Sequence, residues 1–235
     1  MAVIWGLDLH EIQFYKFKGS HMFNRIYHLR RTRMIVYQLA MILCVCSESV
    51  GTAALSDYLD QQSNLQGQHP GVKVHNNDFI GAASYNIFVG ISVATIFGAA
   101  FFFDLFWPAR YESPSVRLAW KICAVVVSVM MLSSALTMTV ITAMHSARIT
   151  GTDAASARKF WSEAEKKPAL TYRTNPKAVA SAVLAWPGWI ATVVSTVVLF
   201  MSKKHDDEFG AKSNYGRSLE NGGNLPEQEV KPEVE

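Results

Sequence analysis

The sequence predicts an all-α integral membrane protein, a bundle of four transmembrane helices with a disordered C-terminal tail. Three observations carry that expectation. Four runs of twenty or more residues, at 34–55, 79–103, 122–144 and 178–201, are nearly free of charge. About 20 residues at ~1.5 Å each cross a hydrocarbon core of roughly 30 Å. Half of the 235 residues are hydrophobic, and they are concentrated in these runs, whereas a soluble helix alternates apolar and polar faces.

The chain divides in order. Residues 1–33 form a basic, aromatic-rich lead that lacks the basic start and long apolar core of a signal peptide. Met22 offers a second start, because MFNRIYHLRRTR leads straight into the first span. The transmembrane domain covers 34–202, with spans at about 34–55, 79–107, 120–145 and 178–202. A polar loop, 56–78, joins the first two spans. Pro108 closes the second span, because proline cannot continue a helix. A short connector, 109–120, leads to the third. In the longer loop 145–177, Thr152 reads as the cap of a helix that Pro168 stops. Phe160 and Trp161 on one side of it leave two readings open: a helix lying on the bilayer, or one packed on the loop. Residues 203–235, rich in Gly, Asn, Glu and Pro, form the disordered tail.

Charge sets the expected orientation. Arg25, Arg30, Arg31 and Arg33 crowd the first span, the first loop carries only Lys73, and Lys203 and Lys204 open the tail. Lysine and arginine mark the cytoplasmic side, so both termini are expected in the cytoplasm. The basic loop 145–177 runs against this rule. The net charge of +3 excludes a nucleic-acid partner as the main reading.

No catalytic, metal or cofactor residues emerge. His69, His75 and Asp78 share a loop, but their spacing fits no zinc signature. No phosphate loop, zinc-protease motif or nucleophile elbow is present. Cys44, Cys46 and Cys123 all fall in spans and read as structural thiols, with Cys123 the better placed for acylation. The expectation is therefore not an enzyme.

The informative residues are the polar ones inside the spans. Glu48 lies seven residues before the end of the first span. An isolated carboxylate at the centre of a membrane helix costs about 2.5–3.5 kcal/mol on insertion scales. Glu48 is placed on a stripe with Tyr37, Met41, Cys44 and Gly51 or Thr52. Asn86 lies seven residues into the second span, so an antiparallel hairpin brings the two to one depth. The expected contact runs from Glu48 to Asn86 or to Tyr85, with Ser47 and Gly51 offering a small matching surface. Gly90, Ala94 and Gly98 repeat every four residues and let two backbones approach closely. Asp104, at the end of the second span, reads as a solvated helix end within reach of Arg110 or Lys121. The hydroxyls of the third span bond back to their own backbone. Pro187 removes one helical hydrogen bond and is expected to kink the fourth span near Val183.

The lead ending Arg30-Arg31-Thr32-Arg33, the four spans and the stretch Ser84-Tyr85-Asn86-Ile87-Phe88-Val89-Gly90 resemble MARVEL-like (fungal-type) four-span membrane proteins over about residues 25–202. The resemblance is architectural and carries over no functional residue. It implies a tetraspan organiser of membrane domains or trafficking, in a plasma membrane or endomembrane. Its partners would be membrane lipids, other membrane proteins or a second copy. The alternative is a small transporter or channel subunit that uses Glu48 as a proton or ion site. A lipid-modifying enzyme would need clustered His or Asp at a span end, and the sequence has no such cluster.

Overall fold

Long apolar helices with small residues along their buried faces build the molecule. The computed structural model describes residues 3–4, 7–163 and 168–220. In chain order the elements are β1 (Val3–Ile4), β2 (Leu7–Asp8), α1 (Gly19–Met22), α2 (Arg30–Gln68), β3 (Lys73–His75), α3 (Asn77–Phe106), α4 (Pro114–Met144), β4 (Arg148–Thr150), α5 (Ala154–Glu163), α6 (Pro176–Phe209) and α7 (Asn214–Glu220). Helices α2, α3, α4 and α6 are long and apolar enough to cross a membrane, and the chain is a multi-pass membrane protein. α2 packs on α3 and α6, and α4 packs on the same two, so the helices form a ring in chain order.

The buried face of α2 steps through Tyr37, Ala40, Cys44, Ser47, Gly51, Ala54 and Tyr58, alternately three and four residues apart, and continues to Leu65. α6 repeats the pattern from Ala178 through Ser181, Ala185, Gly188 and Thr192 to Ser195. A seven-residue period falls short of two helical turns, so helices that keep it wind around each other with a left hand. Small residues on these faces bring the backbones close. At Gly188, an added Cβ would lie 3.2 Å from Cys44 Sγ and 3.4 Å from Met131 Cε. The helix runs unbroken through Pro187.

Several boundaries differ from the sequence expectation. α2 does not end near residue 55 but continues to Gln68, so most of the expected loop is helical. Tyr58, Gln61 and Leu65 extend the buried stripe beyond the apolar run, and that stripe holds the helix. α4 starts at Pro114, with Ser113 as its N-cap accepting from the Val116 amide at 3.4 Å, not near residue 120. α6 starts at Pro176, capped by Asn175, and ends at Phe209. The tail, expected to lack structure from residue 203, is ordered to Glu220. Ser213 N donates to Ile26 O at 2.9 Å, and Tyr27 bridges to Lys212, so the tail is tied to the lead. Residues 221–235 lie outside the described residues.

The loop end of the bundle carries a small cap. β3 and β4 pair antiparallel, with Val74 opposite Ile149. Gly151 sits at φ +91, and a Cβ there would lie 2.0 Å from Gly71 O, so the turn requires glycine twice over. The cap of α5 is Asp153, whose carboxylate accepts from the Ala155 and Ser156 amides, rather than Thr152. Those bonds hold its carboxyl below the ordinary range. α5 packs on the extended α2: Trp161 is buried, Gln61 donates to its carbonyl, and Phe160 stacks on His69 at 3.9 Å. The expected end of this helix, residues 164–167, lies outside the described residues.

Tyr58, Phe79 and Tyr172 form an aromatic trio with centroids 4.9–5.3 Å apart. Burial, with Asp78 beside it, pushes the Tyr172 hydroxyl up. Tyr58 Oη donates to Ala169 O at 2.7 Å and accepts from Asn175 Nδ2 at 3.2 Å, which ties the loop to both α2 and α6. Tyr58→Phe leaves both partners unpaired and lowers unfolding stability by about 1–2 kcal/mol. Limited proteolysis reads the change as faster cleavage within 145–175. An unchanged cleavage rate would show that this hydroxyl does not hold the cap.

Candidate functional site

The polar side chains inside the bundle converge at one level. Asn86 on α3 donates from Nδ2 to Ser47 Oγ on α2 at 3.3 Å. Ser134 Oγ on α4 donates to Asn86 Oδ1 at 2.9 Å. Ser47 Oγ donates to Ser181 O on α6, and Ser181 Oγ donates back to Ser47 O, both at 2.9 Å. All four side chains are buried, and together they link all four spanning helices. Gly51 makes the room for this knot: a Cβ there would lie 2.8 Å from Ser181 Oγ and 3.6 Å from Asn86 Nδ2.

Further cross-helix bonds flank the knot. Tyr85 Oη pairs with Ser133 Oγ at 2.7 Å and Trp186 Nε1 donates to Thr139 Oγ1 at 3.0 Å. Ser128 meets Thr196 at 2.8 Å, and Ser195 Oγ donates to Val36 O at 3.0 Å. The hydroxyls of α4 bond back to their own helix as well, as in Ser128 to Ala124 O and Thr139 to Ala135 O. They thus do two jobs where the sequence suggested one.

Glu48 takes no part in the knot, which corrects the expected contact with Asn86 or Tyr85. Asn86 bonds a serine at each end of its amide, and Tyr85 turns to Ser133. Glu48 stands one residue past the buried stripe, which runs through Ser47, so its side chain leans into the α2–α3 groove. Its Oε2 is buried without a hydrogen-bond partner among the described residues. A Cβ at Gly90 would lie 2.1 Å from that oxygen. Gly90 is therefore a notch that receives the Glu48 carboxyl. Gly98, two turns on, faces Met41 Sδ, 3.2 Å from where a Cβ would stand. Ala94, between them on α3, is partly buried.

The lead end of the bundle holds a second polar centre that the sequence placed wrongly. Asp104 is not a solvated helix end. Its carboxylate pairs with Arg33 and with Arg110, each at 3.0 Å, and its side chain is only 8 % exposed. Arg110 also pairs with Glu112 at 2.5 Å, and Glu112 with Lys203 at 2.6 Å. Lys121 turns instead to Asp207 at 3.9 Å. Arg30 is buried against Met22 O, Asp104 O and Leu105 O. The clue was present in the sequence, since Arg30, Arg33 and Tyr37 begin the same three–four stripe that continues down α2.

Two cavities stand at the ends of the bundle, one beside Asp78 and His145 and one between the lead and the end of α3. Among the described residues, no group of three or more His, Cys, Asp or Glu is arranged to hold a metal. Comparison with family models, with curated proteins and with solved structures finds no match.

Gly90→Ala drives a methyl into the Glu48 carboxyl and destabilises the bundle by about 1–3 kcal/mol. In a Glu48→Ala background most of that loss disappears, as unfolding in bicelles reads directly; an equal loss in both backgrounds removes the notch. Asp104→Asn strips Arg33 and Arg110 of their charge partner inside a buried cluster. The same measurement should show a loss of about 3–5 kcal/mol, and a change under 1 kcal/mol would mean water reaches the cluster.

Proposed function

We propose that this multi-pass protein is a tetraspan organiser of membrane domains or trafficking, of the MARVEL-like kind, acting by lateral packing with lipids and other membrane proteins or with itself. One observation carries the reading. Most buried polar side chains of the spans, Glu48 and Thr142 excepted, are turned on one another or on backbone carbonyls across helix interfaces, while Ile42, Val45, Phe88, Ile91, Val129 and Val197 face outward. A bundle closed inside and apolar outside is built to meet neighbours in the plane of the membrane. This reading gives the chain no catalytic role.

Charge supports cytoplasmic termini, in a plasma membrane or endomembrane. Among the described residues, Lys and Arg number thirteen at the lead end, in 7–33, 104–121 and 203–220, against six at the loop end. The basic side faces the cytoplasm.

A second reading rests on Glu48, whose buried and unpartnered carboxyl oxygen suits a proton or ion site. Reconstituted into liposomes, the protein is expected to carry no proton flux. A flux abolished by Glu48→Gln would replace the organiser reading with the transport one. Proximity labelling from tags on both termini, in cells, is expected to recover a spread of membrane proteins sharing one lateral domain. Recovery of a single enzyme complex in fixed stoichiometry would overturn it.

A further inference from the structure

The cavity at the lead end has the features of a built site. It encloses about 480 Å³ between the lead and the end of α3, and Lys16, Asn24, Arg30, Phe106, Trp107 and Arg110 are among its lining residues. Arg30 is 4 % exposed and has no carboxylate within 4 Å among the described residues. Its hydrogen bonds go to backbone carbonyls and its guanidinium lies 5.2 Å from the Tyr27 ring centroid, contacts that orient the charge but do not neutralise it. Asp8 and Glu11 also line the cavity; Lys16 is paired with Glu11, and Arg110 with Asp104 and Glu112, which leaves Arg30 as the buried cation of the lining without a carboxylate neighbour among the described residues. Lys16 pairs with Glu11 and donates to Phe106 O at 3.0 Å, which fixes its ammonium at the cavity wall. Asn24 donates to His21 O, while its Oδ1 is buried without a partner among the described residues. The cavity therefore offers the Arg30 guanidinium and, beside it, an acceptor that lacks a donor among the described residues.

Its position says where a ligand comes from. The lining residues Phe106 and Trp107 end a membrane-spanning helix, so the cavity lies at the boundary of the bilayer. Trp107 Nε1 donates to Asp8 O and Phe17 packs edge-on against Phe106, which presses the lead onto that boundary. Phe14 is 89 % exposed, and Ile12, Tyr15 and Phe17 are exposed beside it. Aromatic residues of this kind settle at the headgroup level. Below the cavity, Phe102 stacks on Phe106 and is exposed on the flank of α3, where an acyl chain would lie.

The geometry points to a headgroup site for an anionic phospholipid. The phosphodiester meets Lys16 and Arg30 by charge-assisted hydrogen bonds, and a headgroup hydroxyl or ammonium donates to Asn24 Oδ1. Phosphatidylserine and phosphatidylglycerol meet both demands. Phosphatidylcholine has no donor and no net charge. The inference rests on the chain spanning a membrane, and its failure would leave the organiser reading where it stands.

The test uses the full chain, delipidated in neutral detergent, with native mass spectrometry and thermal unfolding as readouts. Phosphatidylserine is expected to bind with one-to-one stoichiometry and raise the melting temperature, and phosphatidylcholine is expected to do neither. Lys16→Glu and Lys16→Met should each weaken phosphatidylserine at least tenfold while the lipid-free melting temperature stays near that of the parent. Asn24→Leu should weaken phosphatidylserine but leave phosphatidate, which has no donor beyond its phosphate, nearly unchanged. Equal binding of phosphatidylcholine, or no effect of either Lys16 variant, overturns the site. Soluble glycerophosphoserine binding as tightly as the lipid overturns the lipid as its occupant.

Discussion

The Asn86 side chain is the constraint on which the rest of the bundle depends. An amide buried among apolar helices must satisfy both of its ends, because no water replaces a missing partner there. One end reaches Ser47 on α2 and the other is met by Ser134 on α4. The reciprocal pair of Ser47 and Ser181 carries the connection to α6. Each such bond is worth only about 0.6–2 kcal/mol in a membrane. Their joint value lies in register, since sliding α2 or α3 breaks bonds to two other helices.

The two ends extend that register in different chemistry. At the loop end, Tyr58 and Tyr172 pin the cap to α2 and α3 through hydroxyl bonds, to the Ala169 carbonyl and the Asp78 carboxylate, and through ring contacts. At the lead end, Asp104 and Glu112 join α2, the close of α3 and α6 through Arg33, Arg110 and Lys203. Burying charges is unfavourable unless each has its counterpart in good geometry. The carboxylates meet that condition, and Arg30, held by backbone carbonyls and the Tyr27 ring with no carboxylate within 4 Å among the described residues, is the exception. The stripe along α2 passes through all three levels, from Arg33 through Ser47 to Tyr58.

Much of this was legible in the sequence, and the misses have physical reasons. Hydropathy located the four spans because the bilayer sets a minimum apolar length. Asn86, Ser47 and Gly51 stood out because polar and small residues in a membrane helix need neighbours. The partner of Asn86 was misassigned by one residue. Glu48 and Ser47 differ by about 100° in azimuth, and a stripe drawn through Tyr37, Met41 and Cys44 drifts onto the glutamate. The alternating three–four step through Ala40 points to Ser47. The extension of α2 to Gln68 escaped because hydropathy falls after Leu55 while the three–four period continues. The burial of Asp104 was hidden for another reason: its partners come from residues 71 positions before it and 6 after it. Only the folded ring brings them together.

The bundle is tied across its interior at Asn86 and clamped at both ends. The central claim is that the four helices are locked through Asn86. A double-mutant cycle on Asn86→Ala and Ser134→Ala, read by unfolding in bicelles, tests it most directly. The account predicts a coupling of about 1 kcal/mol between these residues on different helices. Losses that add to within about 0.3 kcal/mol would contradict it.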